Sequence, residues 1–306
     1  MTTNITIEPQ EYHFNYDTPF ETIKNYISEN GFAVITNVLN TEEVNKAKEM
    51  FFEWKNSIPD FDSIHDKVDP HGIYKHHEVG HQKHAWFVRT RPKVQEQFRK
   101  LWDTDELIVS YDGSCYISKH EKRKDNIWTH TDQAPNSKGL HCYQGYVALT
   151  SNKERTLRLY RGSHQLHESY FSQRGIKSTS NWQKIEPEYL GTIQDRKMAL
   201  QVPAGALVIW ESRVFHQNQY GSPQSEERVV QYVCYLPRNH PKNTPSINRK
   251  RKQYFDERRT TSHWPAPVHV NAKQPRTYGD DSLKINYDAL PIPDLTEYSD
   301  EINKLI

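Results

Sequence analysis

A chain of 306 residues with 40 Lys and Arg against 39 Asp and Glu carries a formal charge of +1, which excludes general electrostatic capture by nucleic acid or by an anionic membrane. Hydrophobic residues make up only 35%, but 18 Tyr, 11 Phe and 7 Trp supply large buried areas and exclude a disordered chain. Cys115, Cys142 and Cys234 are widely spaced with no CxxC pair, so a disulfide framework is not expected and a reducing, cytoplasmic setting is.

The start of the chain lacks a basic stretch followed by an apolar run, so no signal peptide is read, and the sequon Asn4-Ile5-Thr6 is expected to be idle. No segment approaches the roughly 18 apolar residues of a membrane span, so no membrane partner is expected. Thr18-Pro19 followed by Glu21 predicts a helix start, with Phe20, Ile23, Tyr26 and Ile27 at helical spacing and Gly31 as the stop. Phe32 to Ile35 reads as a short strand. Thr41-Glu42-Glu43 opens a second helix to about Ile58, with Val44, Ala47, Met50, Phe51 and Trp54 as its apolar stripe. Residues 59–85 are polar and rich in histidine, and a third helix is expected over Pro92–Trp102.

From Leu107 the character changes to short β-rich runs at 107–111, 114–118, 140–149, 156–160, 198–202, 206–210 and 228–236. Such runs separated by turns predict a sandwich or jelly roll, and too few helix-length spacers remain for a parallel α/β sheet. Past Pro237 the chain turns proline-rich and charged, with Arg249-Lys250-Arg251-Lys252 expected as a solvated helix face completed by Asp256 and Glu257. The aromatic stretches Tyr254-Phe255 and His263-Trp264-Pro265 argue that this tail is folded rather than disordered, and the last dozen residues suit a short helix.

The chemistry gathers in three places. His130-Thr131-Asp132 puts an imidazole and a carboxylate at i and i+2, the same side of a strand. Pro203-Ala204-Gly205 feeds an apolar strand, and His216 follows just beyond its end. Arg228 opens the next strand twelve residues later. Two histidines and one carboxylate are the facial triad of non-haem Fe(II) oxygenases, and an arginine can fork two hydrogen bonds onto a cosubstrate carboxylate. A competing motif, His77-Glu78-Val79-Gly80-His81, has the zinc-protease spacing, but needs a helix, which Gly80 weakens; coincidence is the preferred reading.

Together these features resemble the phytanoyl-CoA dioxygenase family of Fe(II)/2-oxoglutarate oxygenases over roughly residues 20–238. The resemblance runs through Gly31-Phe32-Ala33-Val34-Ile35, His130-x-Asp132, Arg161-Gly162-Ser163-His164, the strand Gly205–Trp210, His216 and Arg228. The family usually has proline where Arg161 stands, and a glycine where this chain has Glu154-Arg155. The resemblance implies a mainly β fold, a double-stranded β-helix (a cupin-like jelly roll) with N-terminal helices packed on one sheet. It implies Fe(II) held by His130, Asp132 and His216, with 2-oxoglutarate and O2 as cosubstrates. It also implies Arg228 and Asn218 at the 2-oxoglutarate carboxylate and Tyr146 lining that pocket; Gln144, on the same strand face as Tyr146, should point inward too. The expected domains are residues 1–238 for the oxygenase and 239–306 for an extension packing on it. The expected reaction is hydroxylation of a small-molecule C–H bond with release of succinate and CO2. Two alternatives stay open: a β-helix binding protein without turnover, and an oxygenase acting on a nucleobase or a protein side chain.

Overall fold

The computed structural model describes residues 5–306, so the sequon residue Asn4 lies outside the described residues. The chain forms two compact units, each built from two stretches: residues 1–38 with 117–228, and residues 39–116 with 229–306.

In the first unit the helix Phe20–Asn30 ends where Gly31 takes a left-handed φ of 87° and returns its N–H to the Ile27 carbonyl. A side chain there would also collide, because a Cβ would stand 2.6 Å from His164 Nδ1 and 2.7 Å from Val214 Cγ2. Glycine is therefore required twice over, for φ and for space. The chain leaves that turn as the strand Phe32–Thr36. This strand pairs in parallel with His13–Asn15 and antiparallel with Leu207–Glu211, which pairs in turn with Tyr143–Ala148. A second sheet of five strands runs Lys197–Ala199, Leu157–Tyr160, His216–Asn218, His130–Thr131, Gln183–Lys184, all antiparallel. The short helices His167–Gln173 and Pro187–Thr192 close a cluster of Tyr160, Tyr170, Phe171, Ile185, Leu190 and Phe215. The fold is the expected jelly roll, mainly antiparallel sheets with flanking helices.

In the second unit the helix Thr41–Asn56 carries a capping box: Asn40 accepts from the Glu43 N–H while Glu43 accepts from the Asn40 N–H. Its buried stripe is Val44, Ala47, Phe51 and Trp54, and the helix Pro92–Trp102 follows as read. The polar stretch holds more structure than expected, with helices Phe61–Val68 and Lys83–Arg89. Most of its histidines are core residues: His65, His76, His77, His81 and His84 are buried, while His71 is half-buried. The strand Arg228–Pro237 starts in the first unit at Arg228; within the second it pairs with Leu107–Val109. The helix Pro245–Asp256 exposes Arg249, Lys250 and Lys252 as a solvated face, but buries Arg251 completely. Arg251 donates to the carbonyls of Pro265, Val109 and Leu305 at 2.9–3.0 Å. That residue corrects the reading of the run: one of its four cations is an internal strut. Trp264 is buried and the short helix Ser299–Leu305 closes the chain.

Candidate metal centre

His130 and His216 are direct partners in the antiparallel register of their two strands. Such partners put their side chains on one face, and here the ring centroids are 4.4 Å apart. Asp132 is two residues beyond His130, with its N–H held by the Ser212 carbonyl at 3.0 Å. Its Oδ2 faces His216 Nε2 at 3.2 Å and His130 Nε2 at 3.5 Å. The three side chains are buried, and their donor atoms lie within 4.8 Å of one another.

The remaining ring nitrogens fix the tautomers. His216 Nδ1 is 2.9 Å from the Val214 carbonyl and His130 Nδ1 is 3.3 Å from that of Trp128. A carbonyl only accepts, so each Nδ1 carries the proton and each Nε2 keeps its lone pair. Burial, reinforced by His216 and opposed by Asp132, holds His130 below the ordinary imidazole range. With both Nδ1 atoms turned to carbonyls, two Nε2 atoms and a carboxylate oxygen converge on one point. A cation relieves that arrangement, and two imidazoles plus one carboxylate suit divalent iron.

Around this point the sheet register collects the other expected residues. Gln144 pairs with Trp210 and Tyr146 with Val208, so Gln144, Tyr146 and Trp210 share a face. Gln144 Nε2 donates to Asp132 Oδ2 at 3.1 Å. Arg228 is fully buried; its Nη1 donates to Asn218 Oδ1 at 2.8 Å and its guanidinium carbon lies 5.3 Å from the Tyr146 ring centroid.

Three tryptophans join the site without having been singled out as site residues. Trp210 packs 5.4 Å from the His216 ring and 5.9 Å from that of Tyr146. Its Nε1, like Gln144 Oε1, is buried with no hydrogen-bond partner among the described residues, as expected of groups that face a bound molecule. Trp128 stacks on His130 at 5.0 Å, and Trp182 stacks on it at 5.4 Å. Trp128 was findable, being two residues before His130; Trp182 sits in a polar loop that gives no signal.

The family departures have structural explanations. Arg161 binds Asn30 Oδ1 at 2.6 Å and pairs with Glu11. Arg155 is buried and donates to the carbonyls of Tyr220, Ser118 and Glu121. The His77–His81 run loses its geometry: His77 and Glu78 have left-handed backbones and only Val79–His81 forms a single 3-10 turn. Gly80 is required because a Cβ would stand 2.1 Å from the Tyr111 carbonyl oxygen. Among the described residues His130, Asp132 and His216 form the one metal-binding group, and no helix is long and apolar enough to cross a membrane.

Residues 27–219 match the family described as phytanoyl-CoA dioxygenase (PhyH). The chain belongs to that family. A PhyH-family chain with this triad is an oxidoreductase whose cofactor set is iron and 2-oxoglutarate. It is 28% identical over 258 residues to "Ava biosynthesis cluster protein O" of Aspergillus versicolor, spanning 77% of this chain and 83% of that one. Among solved structures it resembles a hypothetical protein of Escherichia coli, at TM-score 0.61 and 12% identity, over 89% of this chain and 85% of the other. It also resembles the non-haem α-ketoglutarate-dependent carbocyclase SnoK of nogalamycin biosynthesis, at TM-score 0.51 and 17% identity, over 72% and 85%. At such identities the two structures attest the fold alone.

Proposed function

We propose that this PhyH-family protein is an Fe(II)- and 2-oxoglutarate-dependent dioxygenase that hydroxylates a C–H bond of a small organic substrate, releasing succinate and CO2. In this reading residues 1–238 form the oxygenase domain and 239–306 an extension packed on it. The observation that carries the reading is the opposed pair His130 and His216 with one Asp132 oxygen facing both Nε2 atoms. His130, Asp132 and His216 hold the iron. Bound iron with 2-oxoglutarate and O2 supplies a two-electron oxidation, one oxygen atom going to the substrate and the other to succinate.

The chain's own residues orient that chemistry. The Nδ1 bonds to Val214 and Trp128 lock both imidazoles with Nε2 forward. The Gln144 amide holds the Asp132 carboxylate in its rotamer. Arg228, aimed by Asn218 and lying near the face of Tyr146, anchors the distal carboxylate of 2-oxoglutarate as a planar donor in a dry pocket. Trp210 Nε1 is an unsatisfied donor on the same face as Tyr146 and Gln144, available to a bound oxygen. The relative's name, which assigns that protein to a biosynthesis cluster, supports a small-molecule substrate. Anaerobic titration of the full chain with Fe(II), then 2-oxoglutarate, should give one iron per chain and a weak visible absorption band. Absence of a band at saturating metal and cosubstrate defeats the reading.

A further inference from the structure

His130 has two tryptophans stacked on it, the half-buried Trp128 and the exposed Trp182. The Trp182 ring stacks on it at 5.4 Å with an interplanar angle of 27°, yet Trp182 is 50% exposed. An indole stacked by one face and half exposed turns its other face outward.

The segment that carries it is pinned to the metal strand. His130 pairs with Lys184, Thr131 pairs with Gln183, and the Ile185 N–H donates to the Thr129 carbonyl at 2.8 Å. On the other side, Asn181 Oδ1 accepts from the Ala134 N–H at 3.3 Å and the Ser178 carbonyl accepts from the Asn136 N–H at 3.3 Å. Gln183 Nε2 ties the turn to itself through Ser178 Oγ and the Ser180 carbonyl. The loop is thus bonded both to the strand of His130 and to the residues that follow Asp132, and it presents a fixed indole.

Among the described residues the exposed large hydrophobics of the first unit are Ile127, Leu140 and Trp182. Ile127 is three residues before His130. Leu140 follows Gly139, whose carbonyl accepts from Gln133 Nε2 at 2.7 Å, next in sequence to Asp132. Scattered exposed apolar residues need no explanation, but Trp182 differs from the other two in that its ring stacks on a metal ligand. A flat, uncharged ring covers such a face best, by offset stacking and loss of apolar area from water.

We propose that Trp182 is a substrate-positioning residue of this enzyme, and that its outer face takes a flat, apolar ring of the substrate; the proposal rests on the oxygenase reading above. It sets the substrate class as small organic molecules that carry an aromatic or comparably planar ring.

The test uses 2-naphthol and its saturated counterpart decahydro-2-naphthol as probes on the full chain. Uptake is measured by equilibrium dialysis, with and without Fe(II) and 2-oxoglutarate, and perturbation of the visible band is followed in parallel. The native protein should prefer the flat probe, and 2-naphthol should shift the band. Trp182→Ala should weaken 2-naphthol by about 10- to 50-fold and abolish the preference, while Trp182→Phe should recover most of it. Fe(II) stoichiometry and melting temperature should stay native in both variants, because a half-exposed loop indole contributes little to the core. Equal uptake of 2-naphthol by native and Trp182→Ala protein, or no uptake by either, overturns the platform. A band that never forms defeats the oxygenase reading instead, and dialysis of the metal-free protein still decides the platform.

Discussion

The protein contains two histidine–aspartate–histidine groups, and they are built for opposite ends. In one, a single oxygen of Asp132 faces the Nε2 atoms of His130 and His216. In the other, Asp69 spends one oxygen on each neighbour: Oδ2 on His65 Nδ1, and Oδ1 on His76 Nδ1 at 3.1 Å. A carbonyl behind each ring turns the lone pairs of the first group inward. In the second, the ring N–H groups themselves point at the carboxylate, and His65 Nε2 is taken by His77 Nδ1 at 3.2 Å. Burial opposes the charge on Asp69, but the hydrogen bonds from His65 and His76 outweigh it and hold that carboxyl well below its usual range. The same residue types thus give a ligand set when the lone pairs converge and a buried strut when the protons do. Composition does not separate the two; the direction of each Nδ1 does.

The largest expected effect separates them directly. Asp132→Ala or His216→Ala should abolish the iron–2-oxoglutarate band and lower substrate oxidation by more than about 1,000-fold, because the metal is lost. Asp69→Ala should leave iron stoichiometry at one per chain, yet lower stability by about 3–5 kcal/mol by stranding two buried imidazoles, read as a fall of roughly 10 °C in Tm. Loss of the band in Asp69→Ala with an unchanged Tm would erase the distinction.

Arg228 sharpens it from the cosubstrate side. Charge-assisted hydrogen bonds contribute about 1.5–3 kcal/mol, so Arg228→Ala should raise the 2-oxoglutarate constant by about 10- to 100-fold with iron binding nearly intact. Arg228→Lys lacks the planar fork and should recover only part. Unchanged cosubstrate affinity in the alanine variant would remove Arg228 from the site. Arg251 is the matching arginine of the second unit; it donates to backbone carbonyls and lies 5.1 Å from the centroid of the Tyr111 ring. Arg251→Met should cost about 3 kcal/mol of stability through the unsatisfied carbonyls, without altering the 2-oxoglutarate constant.

A smaller, graded effect comes from acid. Burial pushes His77, His81 and His84 down to about 3, whereas an unfolded chain protonates its histidines below about 6.5. Between those values the unfolded state binds more protons, so stability rises with pH and is lost as pH falls through that window. Asp112, raised to about 6 mainly by burial, has the opposite slope between about 4 and 6, but it is one group, and burial lowers His13, His130 and His167 in the same direction as these three. Urea melts from pH 7 to 4.5 should therefore show a steady decline. His84→Gln should make that decline shallower than in the native protein. A slope that is flat in the native protein would mean these rings are hydrated in solution.

The sequence made the main helices, most strands and the ligand triad legible, because each rests on local rules. The Thr18-Pro19 start, Gly31, the stripe of Thr41–Asn56 and the i, i+2 spacing of His130 and Asp132 all work within a few residues. The polar stretch 59–85 misled because hydropathy scores an imidazole as solvent-facing, while His65, His81 and His84 become core once a fixed acceptor or donor meets them. Arg251 was hidden for the same reason: only the assembled carbonyls of Val109, Pro265 and Leu305 make its burial affordable. Trp182 lies more than forty residues from its partner His130 in sequence, and only the pairing of Gln183–Lys184 with His130–Thr131 brings it there.

The rung that sets His130 opposite His216 also decides how such a protein can be remodelled. Side chains alternate across a strand, so a single inserted or deleted residue between Trp128 and Asp132, or between Val214 and Asn218, would swing a ligand to the far face and empty the site. Between these two short stretches the chain makes long excursions over residues 133–213, including the loop that carries Trp182. Changes of length there leave the rung untouched where the strands keep their pairing. Evolution, or a protein engineer, can therefore exchange the loops of those excursions to admit new substrates, while counting residues strictly at the ligand rung and in the paired strands that carry Gln144, Tyr146 and Trp210.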